Sequence, residues 1–416
     1  MKTQRWLILL GLIIFTLACS LPSKLRRTPP TATPAPTSNA ESRQLKTFEA
    51  AWEAVRDQYV RVDYNGVDWE AIGNEYRAKV EAGLDDEAFN QLMRDMVAEL
   101  PAGQASFQTR AERLEAETVD TSNYEGIGAF IAFREAPEPH VVILSVIKDS
   151  PAEKAGLKAH DNIYAIDGEP VHEDEAESVA QRIRGPADSS VTLTIQTPGS
   201  QRREVKIPRG KITATDNLLG NRNVALNIAY YRLPVVADVD TADLIAQDLI
   251  ARASTGDMEG IILDLRITHS GTSGWPLDQM LTLFGNGNLG QFYTRTVTET
   301  LTVEGQDAGG SQTLPLILLI GPDTEGSPEI FAGALHGSRR ATLVGLPTPG
   351  DVEGFSEVLL QDGSRLFVAT SSFRTRDGKD LAETGLAPDV KVEADWDQIT
   401  PEEDPVLVKA LELVLK

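Results

Sequence analysis

The sequence predicts an α/β multidomain chain, and three successive hydrophobic periods predict it: helical stripes early, short alternating strands in the middle, then near-continuous apolar runs interleaved with helices. Its 416 residues suit two or three domains of ordinary size. With 41% hydrophobic and 24% charged residues, the chain can bury a sizeable core and remain in water. A formal net charge of −23 repels phosphate backbones, so no nucleic acid is expected as a partner. A single cysteine leaves no intramolecular disulfide, and none of the five histidines pairs with another at HExxH spacing. No metal and no cofactor are therefore expected.

The N-terminus sets the expected compartment. Lys2 and Arg5 form a basic head, and Trp6 to Ala18 is an apolar run too short to span a bilayer comfortably. Residues 1–18 read as a secretory signal. Phe15-Thr16-Leu17-Ala18-Cys19 resembles the lipobox of bacterial lipoproteins, with Thr16 in place of the usual leucine. The resemblance implies lipid attachment at Cys19 and an extracytoplasmic protein anchored to a bacterial membrane; an ordinary cleaved signal or a short anchor is the alternative. Residues 19–43, rich in Pro, Thr, Ser and Ala, cannot build a core and read as a tether.

Residues 44–118 read as a helical module. Phe48, Trp52, Val55 and Tyr59 form one stripe, Trp69, Ile72, Tyr76 and Val80 a second, and Phe89, Leu92, Met93, Met96, Val97 and Leu100 a third. Asp85 and Asp86 stand where an N-cap and a first-turn acid belong, and Pro101 closes the module. These apolar residues are expected to be core.

In residues 119–210 the period changes. Val141–Ile147, Ile163–Ile166 and Val191–Ile195 read as short strands, with turns at Asp167-Gly168 and Pro198-Gly199. Ser150-Pro151-Ala152, Ala155-Gly156-Leu157, Asp161, Ile163 and Ile166-Asp167-Gly168 resemble the centre of a bacterial PDZ domain. Gly126, Ile127, Gly128, Ala129 and Phe130 match the loop and strand where such domains receive a peptide's C-terminal carboxylate. Glycines there let backbone N–H groups converge on an anion, and the open strand edge takes the ligand as an added strand. A helix from about Glu173 to Arg184, with Val179 and Ile183 on its apolar side, is expected as the other wall. Read without the resemblance, the glycines form only a tight turn.

Residues 211–416 read as an α/β core. Gly260–Leu265 and Leu314–Ile320 are runs of the kind buried in parallel or mixed sheets, with helices expected at Thr241–Ala253 and Pro328–Leu335. Acids such as Glu402-Glu403-Asp404 sit where helices begin, favouring the positive end of the dipole.

A helical cap, one PDZ domain and an α/β core in this order resemble the carboxyl-terminal-processing (tail-specific) peptidases, serine peptidase family S41. Gly260–Arg266, Glu329–Leu335, Ala341–Gly345 and the stretch Asp362–Val390 carry the resemblance. It implies a Ser/Lys dyad in which an unprotonated lysine takes the serine's proton. The family's serine lies in a segment like SASASEIFAGAL. Laid on Glu329-Ile330, that motif puts Gly326 at the nucleophile position. The TxGK pattern places the lysine at Asp351 and the following glutamine at Phe355, and the spacing of the first two agrees with the family's. A carboxylate cannot do the work of an amine that must be neutral before accepting a proton. Of the oxyanion turn NNPGG only Gly271 remains, and the family's DxH element appears as Ala102-Gly103-Gln104.

Ser327 is the fallback nucleophile, with His269 as a conceivable base, but the N–H after it is absent because residue 328 is proline. Thr324 and Ser273 rank lower. The expected function is a membrane-anchored S41 homologue, proteolytically inactive, that binds peptides or proteins as a scaffold. Its expected partners are polypeptide C-termini, exported proteins and an active paralogue. The alternatives are a serine-type endopeptidase cleaving exported proteins near their C-termini through Ser327, and a structural lipoprotein with a blocked groove.

Overall fold

The computed structural model describes residues 38–118, 124–173, 178–212, 219–220, 227–256, 258–270 and 274–415. The signal-like segment, Cys19, Gly271 and Ser273 lie outside them.

Three helices, Ser38–Gln58, Trp69–Glu81 and Asp86–Val97, form the first module, and all three hydrophobic stripes meet in one core. Asp85 caps the third helix, accepting from the Ala88 N–H at 2.8 Å, an arrangement that typically contributes about 1 kcal/mol. Trp52 and Trp69 lock the first two helices, each indole N–H donating to the other's carbonyl at 3.0 and 3.1 Å. Gly73 is required at this crossing, since a Cβ there would lie 2.3 Å from the Trp52 Nε1.

Two sequence expectations are corrected here. The first helix already includes Ser38–Arg43, inside the stretch read as tether; no proline interrupts it and Glu41 suits a first turn. The module does not end at Pro101 either. Ala105–Gln108 is a strand paired antiparallel with Arg365–Thr375, and the module's core takes in Leu366, Val368 and Ala369 from that partner.

The second module is an antiparallel sheet in the order Ala129–Arg134, His140–Val146, Asn162–Ile166, Ser190–Gln196, Arg203–Pro208, with helices Pro151–Lys154 and Val179–Ile183. Of the helix expected from about Glu173 to Arg184, Val179–Ile183 is helical, and residues 174–177 lie outside the described residues. Asp167 and Gly168 both take positive φ in the predicted turn.

The third module has a six-stranded sheet in the order Leu219–Gly220, Ile228–Arg232, Gly260–Asp264, Leu316–Ile320, Thr342–Gly345, Val390–Lys391. All pairs but the first are parallel. Every residue of Gly260–Asp264 and Leu316–Ile320 is buried, the signature of strands covered on both faces. Helices Thr241–Thr255, Leu277–Phe284 and Ser327–Gly337 cover one face, and Pro405–Val414, capped by Asp404, the other. An antiparallel sheet built on Arg365–Thr375 joins this core to the helical module.

Candidate functional site at the end of the parallel sheet

Three loops meet where the central strands end, the place where open α/β sheets keep their ligand crevices. The first follows Gly260–Asp264 and carries His269 and Ser270. The second runs from Leu316–Ile320 into the helix Ser327–Gly337. It is tied to the first by a bridge between His269 and Glu325 and by the Ser270 N–H donating to the Glu325 carbonyl at 3.2 Å. The third is Thr348–Glu353. Together they enclose a cleft of about 330 Å³.

Gly326 sits at the sharp strand-to-helix turn with φ 72° and ψ −128°, the kind of strained elbow that presents a nucleophile. Here it presents none. A Cβ at 326 would lie 2.5 Å from Ser270 Oγ and 3.0 Å from Ser270 Cβ. Ser270 Oγ in turn accepts the Ser327 N–H at 2.7 Å. A side chain at 326 would thus meet a hydroxyl from the neighbouring loop. The backbone N–H of the residue after Gly326 is taken by that same hydroxyl.

Asp351 also lines the cleft, exposed, and among the described residues no lysine or arginine lines it. Burial, with Asp351 and Asp323 adding like charge, pushes the Glu325 carboxyl up to about 7. Glu329 is fully buried and also pushed up to about 7 by burial, against the bonds it accepts from the Thr348 hydroxyl and from the Gly350 N–H at 3.0 Å. Those bonds fix the loop that carries Asp351. Glu353 is raised by burial as well, although it accepts the Gln104 side-chain amide at 2.7 Å. Gln104 of the helical module therefore reaches a residue that lines the cleft.

The other candidate residues divide. Ser327 lines the cleft, but no ammonium is among its neighbours there, and no hydrogen bond joins it to His269, whose Nδ1 faces the Ser270 carbonyl at 3.1 Å. Thr324 is committed to structure: its hydroxyl donates to the Leu265 carbonyl at 2.9 Å. Phe355 does not line the cleft and is about half exposed, as strand alternation after the cleft-lining Gly354 requires. Ser270, Glu325 and Glu353 were missed from the sequence. For Glu325 the signal was present, an acid where the SASASEIFAGAL motif has alanine.

In the PDZ module Ile127, Val179 and Ile183 are buried together, with Ala129 packed on the same cluster, while Phe130 packs on the opposite side against Val235, Ile267 and Trp396 of the core. Gly128 has φ 81°, and a Cβ there would meet Ser150 Cβ at 2.5 Å. Gly126 pairs with Gly210 at the domain's base. Ala129–Arg134 is an edge strand of its sheet. The core grips this module through residues 395–397. The His160 ring stacks on Trp396 at 3.9 Å, Trp396 Nε1 donates to the Ile143 carbonyl at 3.2 Å, and Asp397 Oδ2 accepts from His140 at 3.0 Å. Arg134 bonds both Asp323 and Asp395. Burial pushes His160 down to about 4, so this joint holds it neutral at ordinary pH.

Comparison with known proteins agrees with this architecture. Family models match for the Tricorn protease C1 domain over residues 39–98, a PDZ domain over 142–197 and peptidase family S41 over 227–392. The carboxyl-terminal-processing protease of Picosynechococcus sp. is 30% identical over 356 residues, covering 82% of this chain and 81% of that protein. Carboxyl-terminal-processing peptidase 3 of Arabidopsis thaliana, chloroplastic, is 26% identical, covering 83% and 68%. Among solved structures, a photosystem II D1 C-terminal processing protease superposes with a TM-score of 0.64 at 27% identity, covering 85% of this chain and 93% of that one. With that similarity along most of both chains, and with the three modules in the same order, this protein belongs to peptidase family S41, the carboxyl-terminal-processing peptidases.

Proposed function

We propose that this chain is a non-hydrolytic member of the family that captures polypeptide C-termini through its PDZ module and holds them at the former catalytic cleft as a scaffold. One arrangement supports the reading: at the elbow Gly326 offers no hydroxyl, Ser270 Oγ lies where a side chain there would go, and Asp351, which the motif spacing aligns with the family's lysine, lines the same cleft. A peptide carbonyl placed there meets neither an activated nucleophile nor a neutral base. Peptide capture needs neither, only a carboxylate loop and an unpaired strand edge. Isothermal titration of the folded ectodomain with peptides ending in hydrophobic residues is expected to give micromolar binding, weakened at least tenfold by C-terminal amidation. Mass spectrometry after prolonged incubation is expected to find those peptides intact. Cleavage that disappears in Ser327→Ala would overturn the reading in favour of a peptidase working through Ser327.

The tether belongs to the same proposal. Cys19 carries a lipid, and the folded part works outside the cytoplasm beside exported proteins, with an active paralogue as a candidate partner. No helix among the described residues is long and apolar enough to cross a membrane. Fractionation is expected to find the protein with membranes and the Cys19→Ser form in the soluble extracytoplasmic fraction; a variant that stays membrane-bound refutes the lipid anchor.

A further inference from the structure

The cleft is charged in the opposite sense to the one a Ser/Lys pair would give it. Neither the Glu325 nor the Asp351 carboxylate receives a hydrogen bond or an ion pair from the described residues, and the two act on each other as like charges. Asp351 also reaches two atoms less far than a lysine would, and it lines the open cleft of about 330 Å³. Next to the cleft lies a groove of about 810 Å³ that shares His269 and Glu325 with it and runs along Ile131–Ala136 of the PDZ edge strand. The groove's one arginine, Arg134, is held by Asp323 and Asp395, while Glu135 and Asp397 add further acid.

The edge of Ala129–Arg134 has no partner strand among the described residues. A peptide added there advances about 3.3 Å per residue. A tail whose terminal carboxylate sits in the Gly126–Ala129 loop therefore passes Arg134 about six residues upstream. From that point its side chains face the acid-lined hollow. An ammonium or guanidinium placed between Glu325 and Asp351 relieves their mutual repulsion, whereas a carboxylate there adds to it.

We propose that the hollow vacated by the dyad is a recognition pocket for a basic side chain, a lysine or arginine lying six or more residues upstream of the bound C-terminus. The inference rests on the peptide-capture reading above. The test is a set of twelve-residue peptides sharing one hydrophobic C-terminal tail, with lysine, norleucine or glutamate scanned through the upstream positions, titrated into the ectodomain at low and at moderate salt.

At one or two adjacent positions lysine is expected to bind about tenfold tighter than norleucine and glutamate weaker than either, with the spread narrowing as salt rises. In Glu325→Gln/Asp351→Asn, with its fold checked by thermal melting, lysine and norleucine peptides are expected to bind alike. If lysine has no advantage anywhere in the scan, or keeps it in the double variant, the pocket is refuted and peptide capture stands. If no peptide binds, both are refuted.

Discussion

Gly326→Ser, alone or together with Asp351→Lys, is expected to leave the protein without measurable peptide hydrolysis. Three features of the cleft require this result. A side chain at 326 must adopt φ near 72° and displace Ser270, whose Oγ lies 2.5 Å from the new Cβ, at a cost of about 1–3 kcal/mol. The Ser327 N–H, the donor that should meet the developing oxyanion, is already given to Ser270, and one such donor typically accounts for about 10²- to 10³-fold in rate. A lysine at 351 would enter a field of carboxylates, since the charge at that position already acts on Glu325, Glu329 and Glu353. Neighbouring acids favour the charged ammonium, and a charged ammonium takes no proton.

Repair therefore needs the surroundings as well as the dyad. Adding Ser270→Gly and Glu325→Gln to Gly326→Ser/Asp351→Lys is expected to raise cleavage of an unfolded protein at least about 10²-fold over the double variant. Chromatographic quantitation of released fragments, with phosphonate labelling mapped to residue 326, measures it. A double variant as fast as the quadruple one would show that neither Ser270 nor Glu325 obstructs the site.

The three modules were legible because each buries its apolar residues at its own period. The stripe from Phe89 to Leu100 is a helix with Asp85 at its cap, and the two uniformly apolar runs are strands covered on both faces. Local signals failed where the partner is distant in sequence. Nothing around Ala105–Gln108 announces pairing with Arg365–Thr375, and nothing around Ser270 announces that it fills the space above Gly326. The expectation that Gly326 and Asp351 occupy the dyad positions rests on motif spacing alone; in the structure both line one cleft, and Glu329 bonds the loop that carries Asp351.

Losing one guanidinium is expected to unsettle both the core and its grip on the PDZ module. Arg266 is 6% exposed and lies between two buried carboxylates, Asp264 at 0% and Asp404 at 8%. It donates to both at 2.7 Å, and its plane lies over Trp396, the ring on which His160 stacks. Asp264 also accepts the Tyr230 hydroxyl at 2.8 Å, and Asp404 accepts the Val406 and Leu407 N–H groups that begin the last helix. Arg266→Met leaves two charges without a counterion in a nearly dry site, a loss of about 3–5 kcal/mol. In a melting curve this amounts to roughly 2–4 °C for each kcal/mol.

The pH dependence supplies the sign. Burial alone would raise the Asp264 carboxyl, but the charge and hydrogen bonds of Arg266 outweigh it and hold the group below the ordinary carboxylate range. In the native protein this contribution is present above the unfolded-state value and is lost as pH falls through the lowered one. Without Arg266 burial prevails, the folded state prefers the protonated acid, and the sign reverses. The deficit of Arg266→Met is therefore expected to be larger at pH 7 than at pH 5, and Asp264→Asn/Arg266→Met/Asp404→Asn is expected to be more stable at pH 7 than Arg266→Met alone. Equal deficits at the two pH values, or a triple variant no better than the single one, would mean that packing against Trp396 and not charge compensation is what Arg266 contributes.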